Sequence, residues 1–409
     1  MPYPSPRVPR KVCSTIQQSE PLRLGNSIRD AILPANPLIA SCKSGSISMS
    51  FPDDPNYPKN ISGYLVDVTK NTFRFMGMDT YPKNTRDFEM RFKDDKSCLD
   101  YIYALKWPDG FVCPSCQSSR KSWLTSKGKV KCGDCGKSIS VTSGTVFQDS
   151  HTPLHIWFRI MWHLCLQKNG SSALGMQRSL GLGSYQTAWL CLHKLRKAMI
   201  RPGRERLCGT VEVDEVFLGG EREGKRGRGA YGKVLTFVAV EDKSYLDETA
   251  GHRKRLLGRV RLCEIANASS SSLSQAILEN VELGSTVRTD GWSGYAGLEE
   301  LGYAHEVQQV SLKQKDNTAG ESPFGGNTIE DYASPLPNCH LVVSLLKRWI
   351  MGTLQGSVGK DYVQDYLNEF TFRFNRRNSK SRGMLFWRLV QLAVGKQPDT
   401  LKEIKLHYS

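Results

Sequence analysis

Apolar positions along this chain fall into recognisable periods only after about residue 78. Before that, isolated apolar residues stand among dense Pro, Ser and Asn, and no spacing of 2 or 3.6 persists. Residues 1–77 are therefore expected to form a disordered extension. Met76 and Met78 at its end leave open a start codon assigned too far upstream. Residues 87–105 predict a short acidic-capped helix within a lead-in segment, 78–106. Residues 151–167 (HTPLHIWFRIMWHLCLQ) predict a strongly apolar helix with Pro153 in its first turn and a stop at Asn169-Gly170. Two more helices, 172–180 and 185–199, are split by Gly181-Leu182-Gly183-Ser184.

Strand patterns follow at 210–218, 234–240, 260–265 and 286–289, with a helix at 271–281 between the third and fourth. Helices at about 341–351 and 360–375 close the series. Three strands, a helix, a strand and then helices is the order of an RNase H-like α/β domain, and other mixed α/β domains share it. The expected organisation is multidomain α/β. A zinc ribbon covers 107–147, a helix-turn-helix region 151–201, an RNase H-like domain 208–395 and a tail 396–409.

Composition narrows the class of partner. The 409 residues suit two or three domains, and 39% hydrophobic content is enough for real cores. Lys and Arg number 56 against 40 Asp and Glu, a formal charge of +16, which favours a polyanion such as nucleic acid. No apolar run approaches the roughly 20 residues of a membrane-spanning helix. The N-terminus lacks the apolar core of a secretory signal, so an intracellular, soluble protein is expected.

The 12 cysteines sharpen that view. Four form close pairs, Cys113/Cys116 and Cys132/Cys135, and the rest are scattered singly. Reduced thiols plus one metal site fit this pattern better than a disulfide framework. Fifteen residues separate the two C-x-x-C knuckles, a spacing that completes a tetrahedral thiolate shell around Zn2+. A thioredoxin-type redox pair is the rival reading, and two such pairs with β-like text between them fit it poorly. Four protein ligands leave the metal no open position, so the zinc would be structural. Arg120, Lys121, Lys127, Lys129 and Lys131 sit with Trp123 between the knuckles, a set suited to phosphates and bases, although many ribbons contact proteins instead.

Two short helices around a glycine-containing turn make a helix-turn-helix candidate. On the second, Tyr185, Ala188, Trp189, Leu192, Leu195 and Met199 share one apolar face at 100° per residue. Gln186, Thr187, His193, Lys194, Lys197 and Arg201 project elsewhere and could reach base edges and phosphates in a major groove. Arg196 falls inside the apolar arc, where its stem would pack. A plain helical hairpin in a core is the alternative.

In residues 211–217 (VEVDEVF) apolar and acidic groups alternate, presenting Asp214 at a sheet surface. Asp290 ends the strand VRT ahead of Gly291. Two carboxylates on strands of one sheet can hold a pair of Mg2+ or Mn2+ ions about 3.5–4 Å apart for phosphodiester exchange. Each alone would be an ordinary turn residue. Residues 221–233 (EREGKRGRGAYGK), with Arg226 and Arg228, read as a basic hairpin loop suited to a DNA backbone. Near the C-terminus, Tyr366, Phe370 and Phe374 suit a core, while Arg373, Arg376 and Arg377 suit DNA.

Taken in order, WPDGFVCPSC, CGDCGKSISVTSGTVF, SYQTAWLCLHKLRKAM, VEVDEVFLGG, KRGRGAYGK, VRTDGWSGY, LLKRWIMGTLQGSV and FTFRFNRR resemble the bacterial insertion-sequence DDE transposases that carry an N-terminal zinc ribbon. The resemblance runs from about residue 78 to 395. It implies that Asp214 and Asp290 are the first two acidic metal ligands. The family's third ligand lies seven residues before the Lys of LLKR, which here is Lys347, so that His340 takes its place. Asn and His variants occur there in the family, and an imidazole is a softer donor for Mg2+ than a carboxylate. Glu330 and Asp331 are fallback ligands. Lys347 would position a terminal phosphate or base.

What the resemblance implies is binding of terminal inverted repeats and target DNA, metal-dependent strand cleavage and transfer, homo-oligomers on paired DNA ends, and a cytoplasmic, nucleoid-associated location. A catalytically silent DNA-binding regulator derived from a transposase is the alternative, as is a nuclease that hydrolyses without strand transfer.

Overall fold

The computed structural model describes residues 42–43, 46–47, 81–219, 233–247, 252–308, 335–356, 358–400 and 403–404. The chain divides into two compact units, Met1–Thr72 and Phe73–Ser409. In the first, strands β1 (Cys42–Lys43) and β2 (Ser46–Ile47) pair antiparallel. The rest of the extension expected over 1–77 lies outside the described residues, as do the basic loop with Arg226 and Arg228, and Glu330 and Asp331.

The second unit opens with two helices where the sequence predicts one, α1 (Thr85–Arg91) and α2 (Asp95–Lys106). The break arises at Asp94, whose side chain accepts from the Ser97 amide while the Ser97 hydroxyl accepts from Asp94, a reciprocal cap that starts a new helix. Strands β3 (Ser122–Leu124), β4 (Lys129–Cys132) and β5 (Ser138–Ser140) form an antiparallel ribbon. Helices α3 (Leu154–Leu166), α4 (Ala173–Leu180) and α5 (Tyr185–Ala198) follow. Ser172 caps α4 through the Gly175 amide, and Gly181 ends it in the left-handed region at φ 63°. Ser184 then caps α5 through the Gln186 amide.

One core joins α1, α2, the inner side of the ribbon and α3–α5 to the last helix, α9 (Arg382–Gly395). Phe386 is central to it, within 5.4–5.7 Å of the rings of Phe88, Phe92, Phe158 and Trp162. The chain thus returns at its end to the domain where its ribbon began.

The second layer system is a five-stranded sheet. Strands β6 (Thr210–Leu218), β7 (Val234–Asp242), β10 (Leu257–Glu264), β11 (Thr286–Thr289) and β12 (Ala304–Val307) lie in the order β10-β7-β6-β11-β12. Strands β7 and β10 run antiparallel to their neighbours, whereas β11 is parallel to both β6 and β12. A small antiparallel hairpin, β8 (Tyr245–Asp247) and β9 (His252–Lys254), extends the connection between β7 and β10. The fifth strand, β12, is absent from the sequence reading because its four residues, AHEV, carry no apolar run.

Helix α6 (Ser270–Asn280) packs on one face of the sheet with Val211, Val213 and Phe237. Helices α7 (Pro337–Leu354) and α8 (Val363–Phe374) cover the other with Leu218, Val238 and Val240. Because strand residues alternate faces, Glu212 and Asp214 turn towards α7 while Val211 and Val213 turn towards α6. Side-chain amides of α8 and its end close the outer edge of β10. Asn375 both donates to and accepts from the Val260 backbone at 3.0 and 2.7 Å, and Gln364 accepts from the Glu264 amide.

Candidate functional site

Strand register brings the two aspartates together. Thr286 pairs with Thr210, Val287 with Val211 and Arg288 with Glu212, so the parallel register continued two residues places Asp290 opposite Asp214. Asp290 sits just past β11, exposed, and its carboxylate accepts from the Trp292 amide at 3.0 Å. Gly291 follows at φ 82°, where a side chain would be strained and would also meet Val307.

Across from these strands, His340 rides the first turn of α7 with its Nε2 3.4 Å from Asp214 Oδ2. The His340 side chain is 51% exposed and that of Asp214 17%. Burial pushes the Asp214 carboxyl up to about 6; the amide of Glu215 and the His340 ring oppose the rise, while the charges of Glu215 and Asp290 add to it. Lys347 is exposed two helical turns along α7 from His340. On the opposite face of β6, Glu215 accepts a 2.5 Å hydrogen bond from the buried Tyr295 hydroxyl.

The structure therefore gathers Asp214, Asp290 and His340 at one end of the sheet. Two carboxylates and an imidazole are a donor set that fits a hard divalent cation. A carboxyl raised by burial and by neighbouring anions is the kind of group such a cation would relieve. Among the described residues, however, only the four cysteines make a cluster of three or more metal-ligating side chains.

In that cluster the ligand atoms lie within 4.8 Å of one another, with Cys113 and Cys135 Sγ 3.6 Å apart and Cys116 and Cys132 Sγ 3.7 Å apart. The two knuckles are built alike. Cys113 and Cys132 donate their amides to the carbonyls of Ser118 and Lys137, and accept from the amides of Gln117 and Gly136. Equivalent positions Gln117 and Gly136 are both left-handed, at φ 59° and 70°. Lys106 ties the ribbon's exit to α2 by donating to the carbonyls of Val141 and Ser143. On the outer strand face Trp123 is 50% exposed, with the Lys131 ammonium 5.7 Å from its ring.

The residues expected to reach DNA from α5 divide into two groups. Gln186 is exposed, and Thr187 and Lys197 are half-buried. His193 and Lys194 are buried, which corrects the reading of both as groove-facing. His193 Nδ1 lies 2.6 Å from the equally buried Asp365, and its burial pulls the imidazole below its usual range. The apolar arc is corrected too, since Tyr185 at its head is 51% exposed.

Arg196 is sealed in the joint between α5 and α8, on Glu369, with its guanidinium 4.3 Å from the Tyr366 ring. Arg373 also meets Glu369. Arg376, expected to contact DNA, instead stacks 4.2 Å from the Phe372 ring and donates to the Phe372 carbonyl; burial pulls its pKa down to about 10. Arg377 is spent similarly, on Phe374 and the carbonyls of Leu257 and Gly258.

The sequence reading missed Glu212, Asp365 and Glu369. Each is acidic at a position whose period points inward. Glu212 lies one pleat before Asp214, and Asp365 and Glu369 lie one helical turn apart on an otherwise apolar face.

Comparison with known proteins gives these features a context. Residues 93–138 match the family described as the transposase zinc-ribbon domain, and residues 206–375 match the ISXO2-like transposase domain. An uncharacterized protein in transposable element ISH50 of Halobacterium salinarum is 24% identical over 300 residues, covering 69% of this chain and 91% of that protein. No helix among the described residues is long and apolar enough to cross a membrane.

Proposed function

From a chain that joins a transposase zinc ribbon to an ISXO2-like transposase domain, we propose a DNA transposase that binds insertion-sequence ends and carries out metal-dependent strand cleavage and strand transfer. The observation that carries this reading is the in-register placement of Asp290 beside Asp214, with His340 3.4 Å across from the latter. The sheet order, with an antiparallel β10-β7-β6 meander on one side and the parallel strands β11 and β12 on the other, supports an RNase H-like assignment. The Gly181 turn between α4 and α5 supports a helix-turn-helix.

Asp214, Asp290 and His340 would hold Mg2+ or Mn2+. Bound there, the cations would lower the pKa of a water or 3′-hydroxyl and neutralise charge on the phosphate oxygens. Asp214 and Asp290 would hold those cations from the strand side and His340 from the helix side. Lys347 would grip the DNA end two turns along α7. Four cysteines would hold structural Zn2+, keeping the ribbon folded with its basic outer face towards DNA. Gln186 and Thr187, at the open start of α5, would read the terminal repeats. Pairing two ends calls for a homo-oligomer, acting on the nucleoid in the cytoplasm.

A second reading, a silent DNA-binding regulator, is favoured by one observation: an imidazole, not a carboxylate, faces Asp214 from α7. The experiment that separates the two compares wild type with Asp214→Asn and Asp290→Asn on duplexes carrying the element's ends. The transposase reading expects intact end binding with loss of cleavage and of joined products on an added target duplex. A wild type that binds ends but never cleaves would establish the regulator, and cleavage without joining would establish a nuclease.

A further inference from the structure

Helix α7 begins without a side-chain cap of its own. Its N-cap is Leu336, which offers no acceptor, and its first residue is Pro337, which has no N–H. The next two amides are those of Asn338 and Cys339, and both are buried away from water. Left unpaired, they would cost the helix its start.

Their acceptor comes from the sheet. Glu212 on β6, 3% exposed, takes the Asn338 amide at 2.7 Å and the Cys339 amide at 3.0 Å on one oxygen, and the Asn338 side-chain amide at 2.8 Å on the other. Arg255 donates through Nε to the Asn338 side-chain Oδ1 at 2.7 Å, which fixes that side chain with its NH2 group towards Glu212. A carboxylate also suits this place because the start of a helix carries partial positive charge.

The consequence lies at the neighbouring positions. On β6, Glu212 and Asp214 share one face and stand one pleat apart, about 7 Å. On α7, the amides bound by Glu212 immediately precede His340. The same two elements are thus joined twice, once by the buried cap and once where His340 meets Asp214 at 3.4 Å.

We propose that Glu212 is a positioning residue: it caps α7 from the sheet and thereby sets the separation of His340 from Asp214 on which divalent-cation binding depends. This inference rests on the reading of Asp214, Asp290 and His340 as a metal site. Glu212 need not touch the metal or the DNA. It acts through the pitch and distance of α7, and an aspartate, with the same charge and acceptors, should retain the cap and nearly the same helix position.

The test uses the full zinc-loaded chain with Glu212→Gln, Glu212→Asp and Asp214→Asn. Two readouts are taken, amide hydrogen exchange over residues 336–342 and Mn2+ binding followed by loss of the free-ion spin resonance signal. Glu212→Gln puts an amino group against donors. It should speed exchange at Asn338 and Cys339 at least tenfold and weaken Mn2+ binding at least fivefold, with zinc content unchanged. Glu212→Asp should keep exchange slow and recover Mn2+ binding to within threefold of wild type. Should Glu212→Gln prove unfolded, Asn338→Ala supplies the same comparison, because it leaves the charge and removes one of the three bonds. Exchange that stays slow in Glu212→Gln, or Mn2+ affinity unchanged while exchange rises, overturns the proposal. Mn2+ binding that survives Asp214→Asn would instead overturn the metal-site reading, and the exchange arm would still decide whether Glu212 caps α7.

Discussion

Arg196 on α5 donates through Nε to Glu369 on α8 at 2.8 Å, with only 2% of one side chain and 0% of the other exposed. The pair does not stand alone. Arg373 meets the second Glu369 oxygen at 3.0 Å, and His193 meets Asp365 one turn earlier on the same helix. Helix α5 thus presents its first turn to solvent and anchors its second half on the domain that holds Asp214. Gly170 stands at this joint, where a β-carbon would lie 2.2 Å from Arg373 and 2.6 Å from Glu369.

Removing one member of such a pair strands the others. Glu369→Gln leaves Arg196 and Arg373 without their shared counter-charge in a dry joint, and breaking a buried pair in this way costs about 3–5 kcal/mol. Urea denaturation should show the loss, and a midpoint equal to wild type would refute the joint's contribution.

The two zinc knuckles make a paired prediction. Gln117→Gly relieves a left-handed residue at φ 59° and should stabilise the ribbon by about 1 kcal/mol, while Gly136→Ala at φ 70° should destabilise it by a similar amount. No atom lies within 4 Å of a β-carbon at Gly136, so the second effect would come from backbone conformation alone. The rate of zinc release to a chelator checks both. Shifts of the same sign would contradict the equivalence of the knuckles.

Asp214 should lower the stability of the metal-free protein. Its carboxyl is raised from 3.8 to about 6 in the folded state, so the native state binds more protons than the unfolded state across that interval. Stability therefore falls as pH rises from about 4 to about 6, by about 3 kcal/mol for this group, and the penalty is fully present at pH 7. Asp214→Asn should raise the melting temperature at pH 7 without metal, with the gain vanishing near pH 4. Added Mn2+ should stabilise wild type and leave the variant unmoved. A variant that melts lower than wild type at pH 7 would refute this.

On α5, exposure separates recognition from support. Gln186→Ala with Thr187→Ala should weaken binding to the element's end by roughly tenfold, the scale of one base-edge contact, and leave the melting temperature alone. His193→Ala should do the reverse. Fluorescence anisotropy beside a thermal melt distinguishes them, and equal loss of DNA affinity in both would refute the division.

Several of these features are legible in the amino-acid sequence alone. C-x-x-C pairs name their own chemistry, because two thiolates three positions apart form a knuckle whatever surrounds them. Asp214 and Asp290 were legible because each ends or interrupts an apolar alternation that fixes its strand. The break between α4 and α5 at Gly181 was likewise written in short-range pattern.

Burial of charge was not legible in that way. His193 and Arg376 look like solvent-facing basic groups on a helical wheel, and only the arrival of Asp365 and Phe372 makes the interior hospitable to them. Glu212 looks like an ordinary polar strand residue until α7, more than a hundred residues later, sets two orphan amides against it. The sequence by itself determined the periods, the knuckles and the strand-borne aspartates, since these depend on neighbours within a few residues. Tertiary structure alone decided which cations are spent inside the protein and which carboxylate holds the helix of His340. Charge in a low-dielectric joint is tolerated only where a distant partner completes it.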